Sequence, residues 1–225
     1  MHIEPGVVDG AKMALAYGTA AAAGGYAVKL IADDLKTHAA ASLAVRAVLA
    51  SGLVFVFFEV FPHFPVGISE VHFILGTTLL LLLGAGPAAI GLAAGLLIQG
   101  TLFAPGDLAM YFVNVTTLLV PLFLIDLVAK RLIPADKPYV DLGYGEVAKL
   151  SFAYQGGVIA WVAFWAFYGQ GFGAENLTAV GSFGAAYLLV VLVEPLADLA
   201  VLAVAKRLRG ASGHGVLVRR LHYPA

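Results

Sequence analysis

The sequence contains no cysteine and few charged side chains, and each shortage excludes a class of protein. Without cysteine among its 225 residues, the chain forms no disulfide, no thiolate metal site and no cysteine-ligated iron–sulfur cluster. Charged residues make up only 12% of the chain and the net charge is −1, so we expect no nucleic-acid partner. The patterns of a P-loop, an HExxH metalloprotease and a GxSxG hydrolase are also absent. We therefore expect no ATP site on this chain and no enzyme activity.

Apolar residues are what the chain has in abundance. They account for 61% of it, with a mean hydropathy of +0.92, whereas soluble domains average about 45–50% apolar residues. This predicts an all-α integral membrane protein of about seven transmembrane helices, with residues 1–225 forming a single transmembrane domain. The predicted spans are 7–31, 41–60, 72–83, 88–103, 108–129, 147–168 and 177–205. The span 72–83 is shorter than the ~20 residues that cross a hydrocarbon core, so it is either a short protein-lined helix or a re-entrant element.

The distribution of positive charge predicts the orientation in the membrane. With the amino terminus outside, twelve of the thirteen Lys and Arg residues fall at cytoplasmic ends, and Lys12 alone does not, as the positive-inside rule requires. The basic tail 206–225 is then cytoplasmic. This orientation places His2, His63 and His72 on the outer side, and His38, His214 and His222 in the cytoplasm. We predict a multi-pass protein of the cell inner (plasma) membrane.

The first two residues, Met1 and His2, form a small chelator within a head of residues 1–6. The terminal amine, the His2 amide nitrogen and the His2 imidazole can close two fused rings around one metal ion, and His72 can supply a fourth nitrogen. Four nitrogens in a plane suit Ni(II) or Cu(II) and can hold low-spin Co(II). We expect the initiator methionine to be kept, because a bulky residue follows it. A side chain without function near a disordered terminus is the other interpretation of His2, and His63 is a candidate second imidazole.

Two intramembrane carboxylates, Glu194 and Asp198, are spaced by four residues on the last span. Ionisable residues inside a membrane are functional candidates by default. We favour a structural ion pair with Lys149 at the cytoplasmic end of the preceding span, and the alternative is coupling to a partner subunit. Because Glu194 lies towards the cytoplasmic end of the seventh span, we expect Glu194→Gln to leave metal binding at the outer face unchanged.

Three blocks of sequence, in register from residue 1, carry a family resemblance. They are Met1-His2-Ile3 with Pro5-Gly6, FPVGISEVH at 64–72, and Gln99 to Asp107 followed by Asn114. These blocks resemble the patterns M-H-I-P-D-G, F-P-V-P-G-G-T-S-G-H, Q-x-L-x-F-G-D-G-G and G-A-N. These patterns are typical of the CbiM/NikM type of substrate-binding membrane subunit of cobalt/nickel energy-coupling-factor (ECF) transporters. The resemblance covers about residues 1–125. The chain departs from the family where Glu4-Pro5 replaces Pro-Asp and where Glu70-Val71 replaces a single glycine before the histidine.

The resemblance implies a metal site made of the Met1 amine, the His2 amide and imidazole, and the His72 imidazole. Around these ligands it implies a second layer of polar side chains, namely Glu4, Glu70, Gln99, Asp107 and Asn114. The alternative for Gln99 and Asn114 is a hydrogen bond between helices.

The implied function is substrate capture in an ATP-driven importer, with cobalt or nickel as the transported ion. The implied partners are an integral coupling (T) subunit, cytoplasmic ATPase subunits and a small accessory membrane subunit, with membrane lipid around them. Two other classes stay open, namely a stand-alone secondary carrier of divalent metals and a haem or redox membrane protein. Transport in ATP-depleted vesicles would support the first, and a haem absorbance spectrum would support the second.

Overall fold

A computed structural model describes residues 2–134 and 137–207. Met1, His214 and His222 lie outside the described residues, so their predicted roles stay predictions. Within the described part there are seven α-helices and one two-stranded sheet. The elements are α1 (Met13–Asp34), α2 (Ala40–Phe55), β1 (Phe64–Val66), β2 (Ser69–Val71), α3 (Gly76–Leu83), α4 (Ala85–Leu102), α5 (Tyr111–Leu132), α6 (Tyr144–Gln170) and α7 (Ala174–Arg207). Short 3₁₀ turns precede α1, α5 and α6, and a π-helical turn, Val56–Val60, extends α2.

Five helical segments in the described part are long and apolar enough to cross a membrane. They are Ala40–Val60, Ala85–Leu102, Pro105–Leu132, Tyr144–Gln170 and Ala174–Arg207. α1 falls outside this group because it is rich in alanine and glycine and carries three charged residues near its end. α3 has only eight residues, too few to span. The protein is therefore a multi-pass helical membrane protein, and seven crossings stay a prediction.

Several predicted boundaries are wrong, and α3 begins at Gly76 instead of residue 72. α1 starts at Met13 instead of residue 7, because residues 7–12 form a turn of loop and 3₁₀ helix with Gly10 at φ +50°. α4 starts at Ala85 instead of residue 88. Pro87 lies in its first turn, where a missing N–H leaves no helical hydrogen bond unmade. Gly84, at φ +91°, makes the break between α3 and α4 by itself.

The segment 61–71, predicted as an irregular loop, contains a β-hairpin, so the all-α prediction misses a small sheet. Its strands are antiparallel, with Phe64 paired to Val71 and Val66 to Ser69. Gly67 turns the chain at φ +64°, and a Cβ atom on it would overlap the carbonyl oxygen of Ala179 in α7. The hairpin is therefore pressed against α7, at the end of the bundle where α2 finishes and α3 begins.

Small residues bring the central helices close together. On α4, a Cβ atom on Gly91 or Gly95 would overlap Ala50 or Val54 of α2. Lipid supplies no hydrophobic force between helices, so close packing of this kind holds them together. The helix α4 packs against both α2 and α5, and α6 packs against both α5 and α7. The short helix α3 contacts all five of these helices.

Candidate metal centre

The amino-terminal head runs beside the hairpin as a third strand. Ile3 forms an antiparallel bridge with Ser69 of β2. On either side of this bridge, the backbone N–H of Glu70 donates to the carbonyl oxygen of His2, and that of Glu4 donates to Ile68, both at 3.0 Å. Backbone pairing on a strand edge fixes register, since a slip of one residue turns every side chain to the other face. It therefore fixes which way the His2 side chain points.

The head and the residues that follow it also contact the helices. The side chain of Ile3 is fully buried, and its backbone N–H donates to Asn114 Oδ1 of α5 at 2.8 Å. Farther along, Lys12 Nζ donates to the carbonyl oxygen of Gly169 at the end of α6 at 2.5 Å. Asn114, predicted to support the metal site, thus contacts the backbone next to His2.

His2, Glu70 and His72 come together at the edge of the hairpin. One candidate ligand atom from each lies within 4.8 Å of the other two. The imidazole rings of His2 and His72 are 5.4 Å apart between centroids, and the two side chains are only 2% and 1% exposed. Neutral imidazoles suit divalent transition metals. Glu70, predicted to lie in the second layer, has a carboxylate oxygen in this cluster of candidate ligand atoms.

Hydrogen bonds assign the proton on each imidazole. His2 Nδ1 lies 2.6 Å from Glu70 Oε2, and His72 Nδ1 lies 3.1 Å from the carbonyl oxygen of Phe73. Since a carbonyl or ionised carboxylate only accepts, both Nδ1 atoms carry hydrogen and both Nε2 atoms present a lone pair. Among the described residues, none hydrogen-bonds to His2 Nε2. This form of the centre is set to bind a metal through Nε2 with Glu70 orienting His2.

The predicted amino-terminal chelate requires the other nitrogen of His2. A ring that starts at the His2 amide nitrogen closes with six members through Nδ1, whereas the Nε2 lone pair points away from that amide. Chelation through Nδ1 therefore displaces its proton and breaks the hydrogen bond to Glu70 Oε2. Glu70 stands where it would either accept that proton or itself contact the metal.

The electrostatics of the centre keep His2 neutral. Burial lowers the pKa of His2, and the hydrogen bond to Glu70 only partly opposes this. Burial raises the pKa of Glu70, but the hydrogen bond from His2 and the nearby positive charges together outweigh burial, and the net pKa lies below the usual value. Burial, followed by repulsion from Glu70 and Asp107, raises the pKa of Glu4. The result is a neutral imidazole facing an ionised carboxylate, the protonation state that metal binding needs.

An aromatic side chain that the sequence analysis did not assign forms one side of the centre. Phe58 is fully buried, with its ring 4.4 Å from that of His72 and 5.7 Å from that of His2. It lies in the π-helical turn, where Phe61 N–H donates to the carbonyl oxygen of Val56. π-helical turns occur frequently at functional sites. The signal in the sequence was the aromatic run at the end of the second span.

The remaining predicted residues lie at different distances from the centre. Asp107 Oδ2 is 3.8 Å from His2 Nδ1. Gln99 is buried near the end of α4, and its carbonyl oxygen accepts from the N–H groups of residues 103 and 104. Its described hydrogen bonds do not reach the histidines. His63 contacts the carbonyl oxygen of Phe61 at 3.3 Å and is not part of the three-residue cluster found among the described residues.

The predicted ion pair of Glu194 and Asp198 with Lys149 is wrong. Glu194 is fully buried and accepts hydrogen bonds from the backbone N–H groups of residues 74 and 75. Asp198 accepts from the hydroxyl of Thr78, whereas Lys149 is exposed. The start of a helix leaves N–H groups without a helical partner, and α3 brings such groups to the carboxylates inside the bundle. Glu194 and Asp198 therefore bind α3 and the loop before it instead of Lys149.

Comparisons with known proteins agree with this architecture. Residues 2–211 match the family CbiM, described as the cobalt uptake substrate-specific transmembrane region. A solved structure described as a truncated transition metal transporter has a similar fold, with a TM-score of 0.60 and 16% sequence identity. The likeness covers 92% of this chain and 97% of that one. No curated protein matches the chain. Because the family match spans nearly the whole chain, the protein belongs to the CbiM family of cobalt-uptake transmembrane regions.

Proposed function

We propose that this chain captures Co(II) or Ni(II) as the substrate-binding subunit of an ATP-driven importer of the energy-coupling-factor type. The observation that carries the proposal is the cluster of buried His2 and His72 with partly exposed Glu70, whose candidate ligand atoms lie within 4.8 Å of one another. Membership of a cobalt-uptake family supplies the class of substrate.

The donor set favours late first-row metals over the abundant hard cations. Two imidazoles with one carboxylate suit Co(II), Ni(II), Cu(II) or Zn(II), whereas Mg²⁺ and Ca²⁺ prefer oxygen ligands throughout. The Met1 amine and the His2 amide would complete a planar four-nitrogen site with His72, and such a site would favour Ni(II), Cu(II) or low-spin Co(II). Met1 lies outside the described residues, so this ligand is part of the proposal.

The division of labour between subunits follows from what the sequence lacks. The chain has no P-loop, so an ATP-driven import cycle needs ATPase subunits, together with an integral coupling subunit and a small accessory membrane subunit. We propose that this chain is not an enzyme. We also place it in the inner (plasma) membrane with the metal centre outside, as the positive-inside pattern favours.

Metal uptake into vesicles tests the function. The chain would be reconstituted alone and together with its coupling and ATPase subunits, and uptake of radioactive cobalt or nickel would be followed with and without ATP. We expect accumulation only when ATP and the partner subunits are both present. Accumulation by the chain alone in ATP-depleted vesicles would contradict the proposal and support a secondary carrier.

A further inference from the structure

The loop between His72 and α3 contains a backbone conformation that needs support from neighbouring residues. Leu75, the residue immediately before α3, has φ +55° and ψ +36°, in the left-handed region. Residues other than glycine seldom adopt this region, and they do so when their surroundings over-determine it. Leu75 lies three residues after His72, so whatever holds it also holds the base of that imidazole.

Glu194 of α7 holds this loop. Its Oε1 atom accepts the backbone N–H of Ile74 and, at 3.1 Å, that of Leu75. These N–H groups stand at the start of α3, where helical partners are missing and where a negative charge is favourable. Glu194 is fully buried, so no water can take over as the acceptor without entering the bundle.

Glu194 is itself fixed by a chain of hydrogen bonds across the bundle. Gln155 of α6 donates its Nε2–H to Glu194 Oε2, and Tyr187 of α7 donates its hydroxyl to Gln155 Oε1 at 2.6 Å. Next to this chain, a Cβ atom on Gly76 would overlap the ring of Tyr154. Neither the carboxylate nor the start of α3 has room to shift independently.

We propose that Glu194 is a positioning residue for metal capture. By anchoring residues 74 and 75, it sets the path of the loop and holds the His72 imidazole between Phe58 and His2. This inference rests on the proposed function, because it requires a metal at His72. It gives the carboxyl group of the last span a role at the outer site, contrary to the expectation that this residue is too close to the cytoplasmic end to affect metal binding there.

The test compares three variants of Glu194 that differ in side-chain length and in their hydrogen-bond acceptor. Glu194→Gln keeps an oxygen at the same distance, Glu194→Asp keeps the charge but shortens the side chain by one methylene, and Glu194→Leu removes the acceptor. Each full-length variant, with a free amino terminus, would be titrated with Ni(II) and with Co(II), and the absorption spectrum of the bound metal would be recorded. We expect losses of affinity of less than threefold for Gln, several-fold for Asp and at least tenfold for Leu, with altered metal spectra for Asp and Leu.

Asp126→Leu is the matched control. Asp126 is also a buried carboxylate on a helix, but it pairs with Lys130 at 2.6 Å, in its own helix α5. The control should bind both metals with native affinity and spectrum even if its melting temperature falls. If Glu194→Leu does not fold, the comparison of Glu194→Asp with Glu194→Gln tests the inference.

Two results would count against the idea, and they are distinguishable. If the Asp and Leu variants that fold bind metal with native affinity and spectrum, Glu194 has only a structural role and the inference fails. If the unmodified chain binds neither metal, the proposed function itself fails.

Discussion

At the scale of single residues, one proton on His2 decides which nitrogen can meet a metal. The hydrogen bond of 2.6 Å from Nδ1 to Glu70 Oε2 leaves the lone pair on Nε2. A carboxylate in this position commonly orients a metal-binding histidine and makes it more basic. Glu70 lies in β2, two residues before His72, and this position brings its carboxylate to His2. In the proposed site, Glu70 would act on the metal through His2, by direct contact, or both.

Removing the Glu70 carboxylate tests this role. For binding through Nε2, Glu70→Ala should lower the affinity for Co(II) or Ni(II) by about 10–100-fold, the usual effect of losing a partner of a metal-binding histidine. Glu4→Ala is the matched control, since Glu4 is an acidic residue of the head that lies outside the cluster, and it should have a smaller effect. Titration calorimetry on both variants would measure this. A gain in affinity in Glu70→Ala would show instead that Glu70 competes with the metal for Nδ1.

The protonation of His2 gives a pH dependence with a definite sign. Burial lowers its pKa from the ordinary value of 6.5, so between the two values the unfolded chain binds more protons than the folded one. Acidification through that range therefore weakens the docked head, and stability from this residue is regained as the pH rises. We expect an NMR titration of the metal-free protein to give His2 a midpoint below 6.5. A midpoint at or above 6.5 would contradict the buried, neutral imidazole.

The terminal amine is the ligand that a tag would destroy. Adding one residue before Met1 moves the amine and turns its nitrogen into an amide, so the two fused rings can no longer close. We expect the loss of this donor to cost several kcal/mol of metal binding, where each ~1.4 kcal/mol is a tenfold change. A carboxy-terminal tag should leave binding unchanged. Equal affinities in calorimetry for the two tagged proteins would mean that the Met1 amine does not bind the metal.

At the scale of elements, the short helix α3 is held by a buried polar side chain at each end. Glu194 accepts the N–H groups at its start. At its end, the buried Arg46 donates to the carbonyl oxygen of Leu83 at 2.7 Å and forms an ion pair with Asp34. The acceptor at the start and the positive charge at the end both satisfy groups that a helix leaves without partners. This explains how an eight-residue helix keeps a fixed position inside the bundle.

The hairpin carries Glu70, so the contact of the hairpin with α7 should affect metal binding. Gly67→Ala introduces a Cβ atom that overlaps Ala179 and meets an unfavourable φ of +64°. The left-handed backbone alone costs about 1–2 kcal/mol for a residue with a Cβ atom. We expect a lower melting temperature and at least tenfold weaker metal binding. Gly145→Ala, in α6 where nothing lies within 4 Å, is the control and should change neither. Native affinity in Gly67→Ala would mean that the position of the hairpin does not affect metal binding.

The elements also show what the sequence could predict and what it could not. Long apolar runs located the spanning helices α2, α4, α5, α6 and α7, because burial in lipid needs continuous hydrophobic length. His2 and His72 could be paired because chelate chemistry and the family pattern both point to them. The hairpin, the π-helical turn with Phe58 and the partners of Glu194 could not be predicted. They depend on backbone groups left free at helix ends, and a sequence does not show which buried side chain will reach those groups.

At the scale of the whole molecule, the metal centre and the bundle form one connected structure. The centre is built from the head, the hairpin and the end of α2, while the loop that carries His72 is anchored on α7 by Glu194. The last span therefore contacts the elements that form the proposed metal centre. In the proposed transporter, a partner subunit that tilts or shifts α7 would change the position of His72 and favour release of the ion.

Metal titration of three forms of the full-length protein with a free amino terminus tests the central claim most directly. The forms are the unmodified chain, His72→Ala, and His63→Ala as the matched outer-loop histidine that lies outside the cluster. We expect the unmodified chain and His63→Ala to bind one Co(II) or Ni(II) ion with the same affinity. His72→Ala should remain folded and lose at least tenfold, or ~1.4 kcal/mol. Unchanged tight binding in His72→Ala, or no binding by the unmodified chain, would contradict the account.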